Sequence, residues 1–374
     1  MIDHLESDKR IQILDSFRFL AILGVLLYHY YSRWTTPIAP FNLYPYGNEV
    51  KIFRYGYLGV EFFFIISGFV IAFTLHGNSS LIKFWKKRWI RLFPAMLICS
   101  LITYTTVSIL DTDKVFYRSQ VPGNLLVSLT FLHPSIINAV LKPIHVQLSY
   151  LNGSYWSLWP EIQFYLLASL IYFADPKKFF SRFLWIALIL FLICKSLYLL
   201  KENDIIHLHA IKIVLYKGLK FLDIFNLGTH ILWFLFGVIF FQLYSKRTTR
   251  LSLIGLTCAT LFQFFNFENW EAQLSFMMMM ILFLIFIYFP KYLRFLQYKL
   301  FTHVGLVSYS IYLIHENIGV LLINKYGGSF GPYSQLFPMI ILAGLSIFAL
   351  ILFYYVEKPV MNYLKRKLKI NEVR

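Results

Sequence analysis

Apolar residues in this chain are gathered into long blocks, such as Phe17–Tyr30 and Met277–Phe289, rather than spread as stripes along amphipathic elements. Blocks approaching ~20 residues match the hydrocarbon thickness of a bilayer. In lipid every backbone N–H and C=O has to be paired within the chain, so blocks of this length are read as spanning helices. Charge is correspondingly scarce. Only 14% of the residues are charged against 58% apolar, where a soluble domain carries roughly 25% charged residues.

The blocks predict an all-α, polytopic integral membrane protein of about ten transmembrane helices. The spans fall near 14–32, 56–76, 94–110, 156–174, 183–200, 222–244, 251–267, 273–289, 304–323 and 335–356. Their orientation is read from Lys and Arg. Of the 35, Lys9, Arg10, the Lys83–Arg91 cluster, Lys177, Lys178, Arg182 and the later basic groups put 22 on the N-terminal side. Eleven lie on the other side, and Arg18 and Lys195 fall within spans. This bias predicts that both termini are cytoplasmic. It also accounts for the net charge of +17, which in a soluble protein would point to nucleic acid; none is expected here. Residues 1–374 read as a single membrane domain, with no repeat and no linker to a second one.

Cys99, Cys194 and Cys258 lie in apolar runs without paired spacing, so neither a disulfide nor a metal site is inferred. The polar stretch Met1–Gln12 precedes an apolar run longer than a signal-peptide core, with no small-residue cleavage site after it. An uncleaved first span is expected. The 39 Phe and 26 Tyr exceed what interfacial belts need, which leaves aromatic side chains to line a cavity.

Ionisable residues inside spans are expensive and usually face protein or a wet cavity. Arg18 and His29 are eleven residues apart, three helical turns plus about 20° and roughly 16 Å of rise. They share one face of the first span, with Arg18 near its inner end and His29 toward the outside. Glu61 opens the second span on the outer side, where it either orients His29 or stays solvated at the interface. Pro160 places the start of the fourth span near Trp159, which puts Glu161 in its first turn; it serves there as a simple cap or as a second carboxylate on the His29 side. Arg88 and Arg91, at i and i+3, share a face of a short amphipathic stretch capped by Ser79 or Ser80. They either set topology or hold phosphate oxygens with their planar forks. His315 lies about 15 Å along the ninth span, either as a satisfied core histidine or as a contact for an acceptor hydroxyl. Gly59 and Gly68 read as helix-packing positions. Glu357, at the end of the last span, reads as structural. Lys195 and His230 receive no role.

In order, these stretches resemble membrane acyltransferase family 3, the bacterial integral-membrane O-acyltransferases. The resemblance rests on Arg18 followed after ten residues by His29, on Gly59–Phe69, on the basic stretch Phe84–Pro94, on Trp156–Tyr165, on Ser308–His315 and on Glu357–Pro359. It covers Leu14 to Pro359. Glu61 stands where the family more often carries Asp, and Ser16–Phe17 replaces the commoner Gly–Leu before Arg18.

The resemblance implies a protein of the bacterial inner (cytoplasmic) membrane, with acyl-CoA, most simply acetyl-CoA, as cytoplasmic co-substrate and no bound cofactor. The implied acceptor is a hydroxyl of a cell-surface glycan or its lipid-linked precursor. Arg18, Arg88 and Arg91 would bind the donor; His29 would be the general base, with Glu61 or Glu161 holding its tautomer; Trp156, Tyr309 and His315 would lie at the acceptor site. Some members carry an additional SGNH esterase-like domain. Without one, this chain is expected to act on its acceptor directly or through a separate periplasmic partner. The competing class is a transporter or flippase for a lipid-linked glycan.

Overall fold

The structure, a computed structural model, describes residues 11–35, 42–47, 49–202 and 209–370, with side chains over the same residues except 201–215. Lys9, Arg10 and Arg374 of the charge pattern, and parts of the outer segments 33–55 and 201–221, lie outside the described residues. In chain order the helices are α1 (Gln12–Tyr31), α2 (Gly59–His76), α3 (Leu81–Leu110), α4 (Pro122–Leu129), α5 (Pro134–Leu141), α6 (Leu158–Ala174), α7 (Phe179–Glu202), α8 (His209–Ile224) and α9 (Leu227–Tyr244). They continue with α10 (Arg250–Phe265), α11 (Trp270–Tyr288), α12 (Lys299–Leu306), α13 (Ser308–Ile314), α14 (Val320–Tyr326), α15 (Phe337–Leu352) and α16 (Lys358–Lys367). A 3₁₀ segment, Lys51–Leu58, leads into α2. Five-residue π-turns at His315–Gly319 and Phe353–Glu357 join α13 to α14 and α15 to α16.

Among the described residues seven helical stretches are long and apolar enough to cross a membrane, and the chain is a multi-pass membrane protein. Every predicted span coincides with helix. Two of them fall on α6, with 17 residues, and α10, with 16, which are shorter than the seven stretches. The stretch Ser308–Lys367 passes as one run of 60 residues. It is interrupted at Gly331, whose φ of 52° only glycine adopts without strain, and at Pro332. Beyond that break α15 packs back on α13 and on the His315–Gly319 turn.

The expected short amphipathic helix before the third span is instead the first part of α3, which runs unbroken from Leu81 to Leu110 through Pro94. A proline there removes one ladder hydrogen bond, and the apolar residues that follow carry the helix on.

Two compact units form. The first comprises residues 1–60, 82–156 and 288–374. In it α1 lies against α12, the 3₁₀ segment, α13 and the His315–Gly319 turn. Gly59 lets the chain close on α1: a Cβ there would sit 2.3 Å from the carbonyl oxygen of Ala21.

The second unit comprises residues 61–81 and 157–287 and is organised around α9, whose residues from Ile231 to Leu243 are all buried. A helix that is apolar all round needs neighbours on every side, and α6, α7 and α10 supply them. α2 meets the same helix through Gly68 and Gly237, whose added Cβ atoms would lie 2.2 Å from the oxygen of Phe234 and 2.0 Å from that of Ile65. Both predicted packing glycines therefore sit at helix contacts, where small residues let backbones approach.

Candidate active site

In the first unit α1 carries His29 in its last turn. Its Nδ1 lies 3.0 Å from the carbonyl oxygen of Val25 and 3.3 Å from Nε2 of His315. His315 is fully buried, and its own Nδ1 lies 2.7 Å from the carbonyl oxygen of Tyr312. A carbonyl oxygen accepts only, so Nδ1 of His315 carries the hydrogen and its Nε2 presents a lone pair to His29. Two acceptors then face Nδ1 of His29, and that nitrogen is the protonated one. Nε2 is left as the basic nitrogen. The two rings meet edge to face, with centroids 4.8 Å apart.

On the far side of the ring, Nε2 of His29 lies 3.5 Å from Oε1 of Glu316. Glu316 is buried, and its Oε2 makes no hydrogen bond among the described residues. A buried carboxylate at this distance is a ready partner for an imidazolium and a poor one for a neutral lone pair. Gly153 closes over the carboxylate, since a Cβ there would stand 3.2 Å from Oε2.

The surroundings hold these groups tightly. Tyr30 Oη donates to the carbonyl oxygen of His315 at 3.0 Å, and Tyr312 Oη donates to that of Ser154 at 2.7 Å. Asn317 donates to Ser119 Oγ at 2.6 Å. The segment that follows α3 is itself anchored by Asp111, whose carboxylate accepts from the backbone N–H groups of Val115 and Phe116. Among the described residues no group of His, Cys, Asp and Glu could hold a metal ion.

Residues 11–357 match the family model of the acyltransferase domain of acyltransferase family 3. The chain belongs to acyltransferase family 3. Among curated proteins it is similar to the O-acetyltransferase OatA of Staphylococcus aureus strain NCTC 8325 / PS 47, at 28% identity over 178 residues, 46% of this chain and 26% of that protein. OatA of Staphylococcus aureus strain COL gives the same figures. The chain thus spans about a quarter of the length of these relatives. No solved structure matches it.

Of the residues singled out from sequence, this family-3 chain brings His29 and His315 into direct contact. The rise along each helix had set His315 at a separate depth. The carboxylate on His29 is Glu316, which the sequence reading passed over as the residue after His315. Its signal was a carboxylate directly beside His315 in the same buried run.

Glu61 and Glu161 belong to the second unit. There Glu161 accepts from Ser67 Oγ at 2.8 Å and from Tyr165 Oη, while Oε2 of Glu61 is buried without a hydrogen bond among the described residues. The helix that carries Glu161 begins at Leu158, one residue from the start inferred from Pro160.

Arg18 pairs with Asp15 at 2.7 Å. Arg88 and Arg91 share α3 but not an environment, since Arg88 is buried over the ring of Phe84 and Arg91 is exposed. Trp156 and Tyr309 are both half-buried. Glu357 accepts from Ser310 Oγ at 2.6 Å at the end of the second π-turn, a structural tie between α13 and α16. Lys195 is exposed on α7, and His230 meets Phe64 edge to face.

Proposed function

We propose that the chain is a ten-span O-acyltransferase of the bacterial cytoplasmic membrane with both termini inside. In this reading it moves an acyl group, most simply acetyl, from cytoplasmic acyl-CoA to a hydroxyl of a cell-surface glycan or its lipid-linked precursor. Support for the span count comes from the seven long helices, from α6 and α10, and from the fold-back at Gly331–Pro332. Support for O-acetyl transfer comes from the family and from relatives named for that activity.

The observation that carries the chemistry is the placement of His29 between His315 and Glu316. Nε2 of His29 takes the proton of the acceptor hydroxyl as its oxygen attacks the thioester carbonyl. The C–S bond then breaks, and the departing thiolate receives the proton back from the imidazolium. Glu316 stabilises the imidazolium between these two transfers. General-base catalysis of this kind contributes about 10²–10⁴-fold. Arg18, Arg88 and Arg91 supply cationic donors for the CoA phosphates, with Arg18 set by Asp15. Trp156 and Tyr309 face the acceptor.

Purified protein in nanodiscs, given acetyl-CoA labelled in the acetyl group and an extract of lipid-linked glycans, tests the reading. Label should appear in the glycan fraction. Glycan movement across the bilayer without any label transfer would establish the transporter class instead. Replacing both Arg88 and Arg91 by Gln should raise KM for acetyl-CoA by about tenfold; an unchanged KM would reduce both residues to topology.

A further inference from the structure

His315 and Glu316 are neighbours in sequence, yet both reach one imidazole. In an α-helix consecutive side chains diverge by about 100°, so two adjacent residues do not converge on one small ring. They do so here within the π-turn His315–Gly319, whose wider winding brings their directions together. Such a turn also draws amide groups away from the carbonyls just before it. Those carbonyls then need other donors.

Side chains from a second segment supply them. The carbonyl oxygen of Leu313 accepts from Tyr155 Oη at 3.1 Å and from Asn152 Nδ2 at 3.3 Å. Both donors are buried, at 1% and 0% exposure, so neither has water as an alternative partner. The amide of Asn152 is oriented as well: its Oδ1 accepts from the Ser154 N–H at 3.1 Å, which fixes Nδ2 toward Leu313. Tyr312 Oη, donating to Ser154, ties the same segment back onto α13.

We propose that Tyr155 and Asn152 are positioning residues that hold the π-turn open and thereby keep His315 and Glu316 together on His29. The inference rests on the reading of His29 as the base. Loss of either donor leaves the Leu313 carbonyl with one side-chain partner in place of two, and the chain compensates by closing the turn into α-helix. Closing it rotates Glu316 off the imidazole.

The test is a double-mutant cycle on the full chain in nanodiscs, with CoA release from acetyl-CoA as readout. Y155F should lower kcat by about thirtyfold, with KM for acetyl-CoA changed less than about twofold, the scale expected of a displaced catalytic group. E316Q should lower kcat by about a hundredfold. The double variant should be no slower than E316Q alone, because both changes remove the same contact. Should Y155F not fold, N152D takes its place, since it keeps the acceptor for Ser154 and turns the donor facing Leu313 into an acceptor. Losses that multiply in the double variant, or a wild-type kcat in the single variant, overturn the proposal. A wild-type rate in H29A would instead sink the base assignment, so the two failures are distinguishable.

Discussion

Glu49 holds the turn that follows α1 through Ser32 Oγ at 2.5 Å, Arg54 Nε at 2.7 Å and Arg54 Nη2. The Arg54 guanidinium beside it holds its carboxyl below the usual carboxylate range. A folded pKa below the unfolded one contributes stability that is complete above the unfolded value, near ~4.3, and is lost as pH falls through the folded one. Replacement by Gln removes that contribution at neutral pH and resembles the protonated acid at low pH. E49Q should therefore melt below wild type at neutral pH, by about 1 kcal/mol once the 43% exposure of Arg54 is discounted. The difference should shrink as pH falls below the unfolded value and through the lower folded one. A gap that persists in acid would mean the ion pair is not its source.

At this same scale, part of the site was legible in the sequence. Arg18 and His29 declare themselves by being ionisable inside an apolar run, and so does His315. Their partners do not. Which carboxylate reaches a histidine depends on which helices meet, and rise along a single helix carries no such information. Glu61 and Glu161 were assigned to His29 by side of the membrane alone, whereas Glu316 arrives from α13 through a π-turn, which has no sequence period to betray it.

Among elements, the long apolar helices were plain from the lengths of the apolar blocks, whereas the short α4 and α5 carry no apolar block long enough to announce them. The basic stretch before Pro94 read as a separate short helix; in α3 the apolar stretch on the C-terminal side of Pro94 outweighs one lost hydrogen bond. Gly59 and Gly68 were legible as contacts but not their counterparts, since Gly237 sits in an all-apolar helix with no mark on its face. That contact gives a sharp expectation. G237A places a methyl group 2.0 Å from the Ile65 oxygen, so α2 and α9 must separate. Overpacking of this kind costs about 1–3 kcal/mol or more, and detergent-solubilised G237A should show a lower melting temperature. An unchanged melting temperature would contradict the packing of α2 on α9. G344A is the control, because a Cβ at Gly344 meets nothing within 4 Å.

For the whole molecule, the charge bias orients the chain, and side-specific labelling checks it. Single cysteines at the exposed positions 87 and 177 should be protected from an impermeant reagent in intact cells, and one at the exposed position 142 should react. The reverse pattern would invert the topology, and with it the side from which the donor enters.

The central claim is that His29, set between His315 and Glu316, moves the proton that acyl transfer requires. Single-turnover cleavage of acetyl-CoA by purified wild type, H29A and E316Q, each shown to bind CoA equally, tests it most directly. The account predicts a loss of at least about a thousandfold in H29A and about a hundredfold in E316Q. Cleavage by H29A at the wild-type rate would contradict it.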